Sequence, residues 1–367
     1  MDDLVIQSHK GPYTARFGSA FAGIESGLTS REHLIIDAKV AELYSGILAP
    51  ALAAPSVLRI EATETNKSIE KVPVYVKHLL EHGVRRDHTL VAVGGGIIQD
   101  ITAFIAATLL RGLPWRFYPT TLLAQADSCI GSKSSINVGP YKNQLGTFTP
   151  PSEILISTDP LATLDETAVR SGIGEMIKVH IISGLEDTRV IAADYGKLAC
   201  DKTVMLHYIR RSLEMKKTKI EIDEFDRNER LVMNYGHSFG HALESATNYQ
   251  VPHGIAVTIG MDMANYVSLR LGLIGHKLYD EFHSLLALNY AGFEKVFISE
   301  DSFFKALSRD KKNTDEHMSV ILVRDPGLVF RTRLPNNGQV RSICGEYFRI
   351  LDGQAGERIQ FSNPSEL

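Results

Sequence analysis

Between residues 33 and 158 short apolar runs alternate with stretches of helical spacing. HLIID (33–37) predicts a strand ending at Asp37, and SVLRIEA (56–62) predicts a second. VPVYVKHLLEHGV predicts a helix crossing back, and HTLVAVGGGIIQDITAFIAATLL a strand, a glycine turn and a helix. WRFYPTT predicts a further strand and SEILIST (152–158) the last of the series. Strands alternating with helices imply a largely parallel sheet with right-handed crossovers. After about residue 160 the strand signal fades. DETAVRSGIGEMIKVHII, the segment from Thr203 to Glu221, the GHSFGH segment and GIAVTIGMDMANYVSLRLGL all carry helical spacing. SVILVRD, near 319–325, is the one late strand expected, and the polar tail GQAGERIQFSNPSEL is expected to be loose. The pattern predicts an α/β N-terminal nucleotide-binding domain with a mainly parallel sheet over residues 1–159. A mainly α-helical C-terminal domain follows over 160–367.

Bulk properties narrow this picture only a little. A chain of 367 residues is long enough for two cores. A net charge of −4 gives no basic surplus for general nucleic-acid binding, although a small anion needs only a few placed cations. Cys129, Cys200 and Cys344 are scattered and odd in number, which fits a reducing compartment better than a disulfide framework. MDDLVIQSHKGPY lacks the regions of a signal peptide, and ITAFIAATLL is too short to span a membrane and runs into Arg111. A soluble, cytoplasmic protein without nucleic-acid or membrane partners is expected.

The candidate chemistry centres on NYGHSFGHALES followed by PHGIAVTIGM. His237 and His241 lie four apart and so share a helix face, with His253 shortly downstream. Converging neutral imidazoles are the usual material of a transition-metal site, with helix packing as the plain alternative. The glycines beside them suit a close approach of backbone to a ligand or to another helix. VAVGGGIIQD (91–100) places three glycines between a strand and a helix, where a diphosphate can meet backbone N–H groups; a tight turn is the plain reading. Asp37, at an earlier strand end, suits a ribose. The loop TTLLAQADSCIGSKSSINVGPYKNQLG (120–146) brings Lys133, Lys142 and Asn143 for phosphate or hydroxyl groups, unless it is only a solvated surface loop. Glu175 and Lys178 sit three apart on an apolar helix, where burial would require partners for both; His180 is expected only to pack. Lys216 and Arg230 in one cationic segment, and Lys311 and Lys312 in another, would by themselves pass for solvated faces.

Together these segments resemble the sugar-phosphate cyclases, most closely the 3-dehydroquinate synthases, from about Asp37 to Lys312. The matching elements, in order, are E-x-x-K at Glu64 and Lys67, GGGIIQD, RGLPWRFYPTTLLAQADS, K-x8-KN, T-L-x9-GE-x-x-K, R-x3-NYGHSFGH, PHG and DKK. The resemblance implies a divalent metal, zinc or cobalt, held by Glu175, His237 and His253. It implies NAD held by Asp37, Glu64, Lys67, Gly95, Gly96, Asp100, Thr120, Thr121, Lys133, Lys142 and the 161–163 turn with Leu161 and Thr163. The implied pocket for a small anionic sugar phosphate comprises Asp127, Lys133, Asn143, Lys178, Lys216, Arg230, Asn234, His241 and Lys312. Arg111 matches an arginine that reaches the phosphate across a homodimer interface. The implied reaction is a phosphate-releasing cyclisation in which NAD is regenerated within each turnover.

Arg230, Asn234, His241 and Lys216 favour a substrate bearing a carboxylate, because a fixed guanidinium matches its plane. That points to 3-deoxy-D-arabino-heptulosonate 7-phosphate as substrate and 3-dehydroquinate plus phosphate as products. The chain departs from the family pattern at HGI for HGE (Ile255), at Gly131-Ser132-Lys133 for GGK, at Gln99-Asp100 for GD, and at Tyr141 for glycine. These departures keep open a cyclase of a specialised cyclitol or aminoshikimate-type pathway. From another class, a metal-dependent NAD alcohol or polyol dehydrogenase shares the two-domain plan, and a catalytically dead binding protein would retain the fold.

Overall fold

The computed structural model describes residues 2–139, 141–296, 298–308, 317–325 and 327–353. Lys312 and most of the polar tail, from residue 354 on, lie outside the described residues. The chain divides by packing into two units, residues 1–179 with 193–231, and residues 180–192 with 232–367.

The first unit is built on the strands β1 (Leu4–Ile6), β2 (Tyr13–Phe17), β3 (Glu32–Asp37), β4 (Leu58–Ile60), β5 (Thr89–Gly94), β6 (Trp115–Pro119), β7 (Lys133–Val138), β8 (Tyr141–Phe148) and β9 (Glu153–Ile156). Seven of them form one sheet in the order β1-β2-β9-β6-β5-β3-β4. Every neighbouring pair is parallel except β1 with β2. The central strands are apolar without alternation, Leu34–Ile35–Ile36 in β3 and Leu90–Val91–Ala92–Val93 in β5, and all these side chains are buried. That is the composition of strands covered on both faces. The helix Gly96–Thr108 leaves β5 through the glycine turn and buries Ile98, Ile101 and Ile105. The mainly parallel α/β sheet expected from the sequence is present, with each predicted strand in its place.

The loop expected over 120–146 is largely ordered instead. It holds a π-helical turn, Ala124–Ser128, and the antiparallel hairpin β7–β8. The hairpin is polar, with β8 mostly exposed, so pairing rather than burial makes it a sheet and no apolar alternation announces it. The short strands β1 and β2 were likewise not predicted.

In the second unit the helix His253–Arg270 is buried at every residue from Gly254 to Ser268. The helices His237–Ala246, His276–Tyr290 and Gly338–Leu351 pack around it. Several of its interior polar groups are paired, although Asp262 Oδ1 and Asn265 Nδ2 make no hydrogen bond among the described residues. Asp262 Oδ2 accepts from His283 Nδ1 (2.8 Å), Tyr290 OH (2.7 Å) and Tyr347 OH (3.0 Å), while Asn289 donates to Thr258 Oγ1 at 2.9 Å. The late strand SVILVRD is found as β10 (His317–Arg324), but it has a second partner strand, β11 (Leu328–Pro335). β11 has no clean period of two: Val329 and Leu334 are buried while Arg331 and Arg333 are exposed, so its pairing with β10 rather than its own pattern makes it a strand. Among the described residues no helix is long and apolar enough to cross a membrane.

One buried pair in the first unit makes stability depend on pH. His33 Nε2 lies 2.8 Å from His88 Nδ1, and burial, then His88, His82 and His78, hold the His33 imidazole below its ordinary value of 6.5. Below pH 6.5 the unfolded chain binds this proton more readily than the folded one, so stability falls with decreasing pH. Urea unfolding at pH 7.5 and 5.5 should show a larger loss in the wild type than in His33→Gln. Equal losses would remove His33 as a cause.

Candidate active site

The two histidine helices of the second unit meet through glycine. A Cβ on Gly260 would fall on the Gly236 carbonyl and 2.7 Å from Gly240 N, and one on Gly240 would lie 3.0 Å from Ala256 O. Gly236 also adopts φ +77°, a backbone state open mainly to glycine. This crossing carries His237 and His241 alongside His253. The ligating atoms of all three lie within 4.8 Å of one another, and the ring centroids are 5.3–5.6 Å apart. His237 Nδ1 is 3.1 Å from the Tyr235 carbonyl and His253 Nδ1 is 3.2 Å from Glu244 Oε2. A carbonyl or an ionised carboxylate only accepts, so each Nδ1 carries a proton. Histidines oriented in this way fit a divalent metal.

In the first unit five ionised side chains gather under cover. Lys178 is 2% exposed, Glu175 1%, Lys216 6% and Arg230 7%. Asp127, at the penultimate position of the π-helical turn, lies between the two ammonium groups, with Oδ1 2.7 Å from Lys216 Nζ and Oδ2 3.4 Å from Lys178 Nζ. Lys178 also donates to Glu175, and Lys216 to the Asp127 carbonyl. Burial by itself raises a carboxyl, but the two ammonium charges reverse this and hold Asp127 well below the ordinary carboxylate range. Burial, together with Arg230 and Lys178, pulls Lys216 down despite its contact with Asp127. Cationic charge is therefore crowded here. Arg230 donates to the Glu224 carbonyl at 2.7 Å and passes close to Gly131, whose φ of +103° and lack of a side chain leave it room. Glu224 in turn holds the N-terminal arm through Ser8 Oγ (2.7 Å) and His9 N (2.8 Å).

The glycine turn has its own constraints. A Cβ on Gly94 would strike the Ile98 side chain at 2.6 Å and one on Gly95 the Thr121 side chain at 2.9 Å. Thr120 N donates to Gly94 O at 2.9 Å, which ties the two strand ends together. Beyond the turn, Asp100 accepts from Lys67 Nζ (3.1 Å), Ser135 N (2.9 Å) and Ser135 Oγ (3.0 Å). Burial pushes the Asp100 carboxyl up, with Lys67 opposing. Lys67 also reaches Asn143 Oδ1 at 2.9 Å, and Glu64 accepts from Asn137 Nδ2 at 2.8 Å. The hairpin is thereby fastened to the E-x-x-K segment and to the helix after the glycines.

Two family models cover most of this architecture, the 3-dehydroquinate synthase N-terminal model over residues 57–171 and the C-terminal model over 172–313. The chain belongs to the 3-dehydroquinate synthase family. It is 33% identical to the 3-dehydroquinate synthase of Thermoanaerobacter pseudethanolicus, over 82% of this chain and 86% of that one. Among solved structures, a 2-deoxy-scyllo-inosose synthase complexed with carbaglucose-6-phosphate, NAD+ and Co2+ shares the fold with TM-score 0.83 at 22% identity. That match spans 94% of this chain and all of the other. The 2-epi-5-epi-valiolone synthase ValA of Streptomyces hygroscopicus subsp. jinggangensis, with NAD+ and Zn2+ bound, matches with TM-score 0.78 at 26% identity, over 93% of this chain and 97% of that one.

The structure brings together His237, His241 and His253 in one unit, and Asp127, Glu175, Lys178 and Lys216 in the other. Lys133 pairs with Asp226. Asn143, expected among substrate groups, is bonded to Lys67 and Ser135 on the Asp100 side. Asp37 caps the next helix through Lys39 N at 3.0 Å, and burial raises its carboxyl. Thr163 donates to Pro160 O at 3.0 Å within a 3-10 turn that contains Leu161. Lys142 and Asn234 are half-buried, and His180 is buried. Arg111 is exposed and, like Leu110, has a positive φ at the end of its helix. Sequence reasoning missed Glu244, Asp226 and Glu224. Glu244 was findable, since it lies seven residues after His237 and three after His241, on the same helix face. Ile255, read as the loss of a carboxylate near the metal histidine, is fully buried, and Glu244 supplies a carboxylate to His253.

Proposed function

We propose that this protein is an NAD- and metal-dependent 3-dehydroquinate synthase, converting 3-deoxy-D-arabino-heptulosonate 7-phosphate to 3-dehydroquinate and phosphate. The observation that carries this reading is the buried cationic set of Lys178, Lys216 and Arg230 around the carboxylates of Asp127 and Glu175, three positive charges against two negative ones. Burying three cations is costly unless an anion repays it, and a simple alcohol substrate would supply none. Glu175, His237 and His253 would hold the divalent ion, zinc or cobalt. The glycine turn, with Asp37, Glu64, Lys67, Asp100, Thr120, Thr121, Lys142, Leu161 and Thr163, would hold the dinucleotide. When bound, NAD supplies a reversible hydride acceptor and the metal a Lewis acid for substrate hydroxyl oxygens.

The chain's own groups then bind and steady the anionic ends of the substrate. Arg230, with Asn234, faces the carboxylate through a planar fork, and its hydrogen bond to the Glu224 carbonyl fixes that plane. Lys133, Lys178, Lys216, His241 and Lys312 bind and steady the phosphate. Arg111 would reach the phosphate bound by the other subunit of a homodimer. The division of labour would follow a dinucleotide-binding part, 1–159, and a metal- and substrate-binding part, 160–367, in an enzyme of the cytoplasm.

The test is phosphate release with NAD and Zn2+ or Co2+, comparing 3-deoxy-D-arabino-heptulosonate 7-phosphate, sedoheptulose 7-phosphate and glucose 6-phosphate. Release from the first alone, without net NADH, is expected. Release only from another sugar phosphate would move the protein to a specialised cyclitol-type pathway. NADH accumulating on simple polyols without phosphate would make it a dehydrogenase.

A further inference from the structure

Gln99 stands in the first turn of the helix Gly96–Thr108, at the position where the family pattern has glycine, and it is only 5% exposed. A buried amide needs partners for both its donor and its acceptor. Gln99 finds both in one residue. Its Nε2 donates to the Ser128 carbonyl at 2.6 Å, and Ser128 Oγ donates back to Gln99 Oε1 at 2.6 Å. No alanine or glycine at this position makes either bond.

Ser128 closes the π-helical turn Ala124–Ser128, a geometry that is rare and frequent at functional sites. The other side of the turn is held by a second buried amide: Gln125 Nε2 donates to Pro119 O at 2.9 Å and to Ser157 O at 2.7 Å. Asp127 lies between these two anchors. Its carboxylate spans Lys216 at 2.7 Å and Lys178 at 3.4 Å, and its carbonyl accepts from Lys216. A shift of the turn therefore moves both ammonium groups.

We infer that Gln99 is a positioning residue for substrate binding, holding Ser128 from both sides so that Asp127 keeps Lys178 and Lys216 at a fixed spacing for the anionic group of the sugar phosphate. This rests on the cyclase reading above. The neighbouring Asp100 faces Lys67 and Ser135, so one helical turn braces the cationic cluster with one residue and the hairpin with the next.

The deciding variants are Gln99→Met, which keeps the volume and loses both bonds, and Ser128→Ala, which loses one of them. Gln99→Met should raise KM for 3-deoxy-D-arabino-heptulosonate 7-phosphate about tenfold with kcat nearly unchanged, the sign of lost uniform binding. Affinity for NAD, measured by calorimetry, should stay within about twofold of wild type. Ser128→Ala should show the same split more weakly, and the double variant should be no worse than Gln99→Met. An unchanged substrate KM, or NAD affinity falling in parallel because the whole glycine helix has loosened, would overturn the inference. A wild type that releases no phosphate from any sugar phosphate would overturn the cyclase reading instead. Binding of inorganic phosphate to the NAD- and metal-loaded protein then decides the role of Gln99 by itself: about tenfold weaker binding in Gln99→Met upholds it and equal binding refutes it.

Discussion

Replacing His253 by alanine should strip the protein of its divalent ion and reduce phosphate release by about three orders of magnitude or more. His253 is the first residue of a helix buried from Gly254 to Ser268, so its ring is aimed by a tightly packed element. Its Nδ1 faces Glu244 Oε2 at 3.2 Å, which sets the orientation of the ring. The side chain itself is about one-third exposed and contributes little to packing, so the variant should still fold. Metal content after dialysis, thermal unfolding and turnover are the three readouts. Normal metal content in a variant that retains its melting transition would remove His253 from the ligand set.

Gly260→Ala should be among the most destabilising single substitutions in the second unit. A Cβ there meets backbone, the Gly236 carbonyl and Gly240 N, and no rotamer change relieves a clash with main chain. The two helices must separate, at a cost in the upper part of the ordinary overpacking range of about 1–3 kcal/mol or beyond it. Because His237 and His241 ride on one of these helices and His253 on the other, metal affinity should fall together with the urea midpoint. An unfolding free energy within about 0.5 kcal/mol of wild type would show that the crossing can relax. Retained metal affinity in a destabilised variant would show that the histidines do not depend on it.

Much of the fold was legible because its central strands and helices announce themselves by composition. HLIID and TLVAVG are unbroken apolar runs that make sense only in a sheet buried on both faces. What escaped was structure made by pairing. YKNQLGTF and LVFRTRLP are strands whose polar or charged positions face outward, and their partners, not their own apolar content, make them strands. The site divides in the same way. Histidine spacing and the glycine turn are local patterns, and both were readable. The ties between Glu244 and His253, Gln99 and Ser128, and Asp226 and Lys133 join residues 9, 29 and 93 positions apart, and only folding brings them together. Lys216 by itself passes for a solvated charge in the sequence, whereas the apolar helix around Lys178 already implies burial; what neither shows is the shared partner. Their burial against Asp127 is what gives them chemical meaning.

The chain passes from the first unit to the second between Val179 and His180, returns at Ala193, and leaves again after Leu231. Neither unit is a continuous length of polypeptide. During synthesis the sheet can assemble as soon as β9 has emerged, but the Asp127 turn must wait. The helix that covers it, Lys202–Ile222, is translated later and carries Lys216. Until then Asp127 has one of its two ammonium partners, and the anion site does not yet exist on a growing chain whose parallel sheet is already complete. No single cut therefore separates the two units, and a gene split at the boundary between the two family models, after residue 171, would cut through the helix Glu166–Ser183 and leave the first half without the helix Lys202–Ile222.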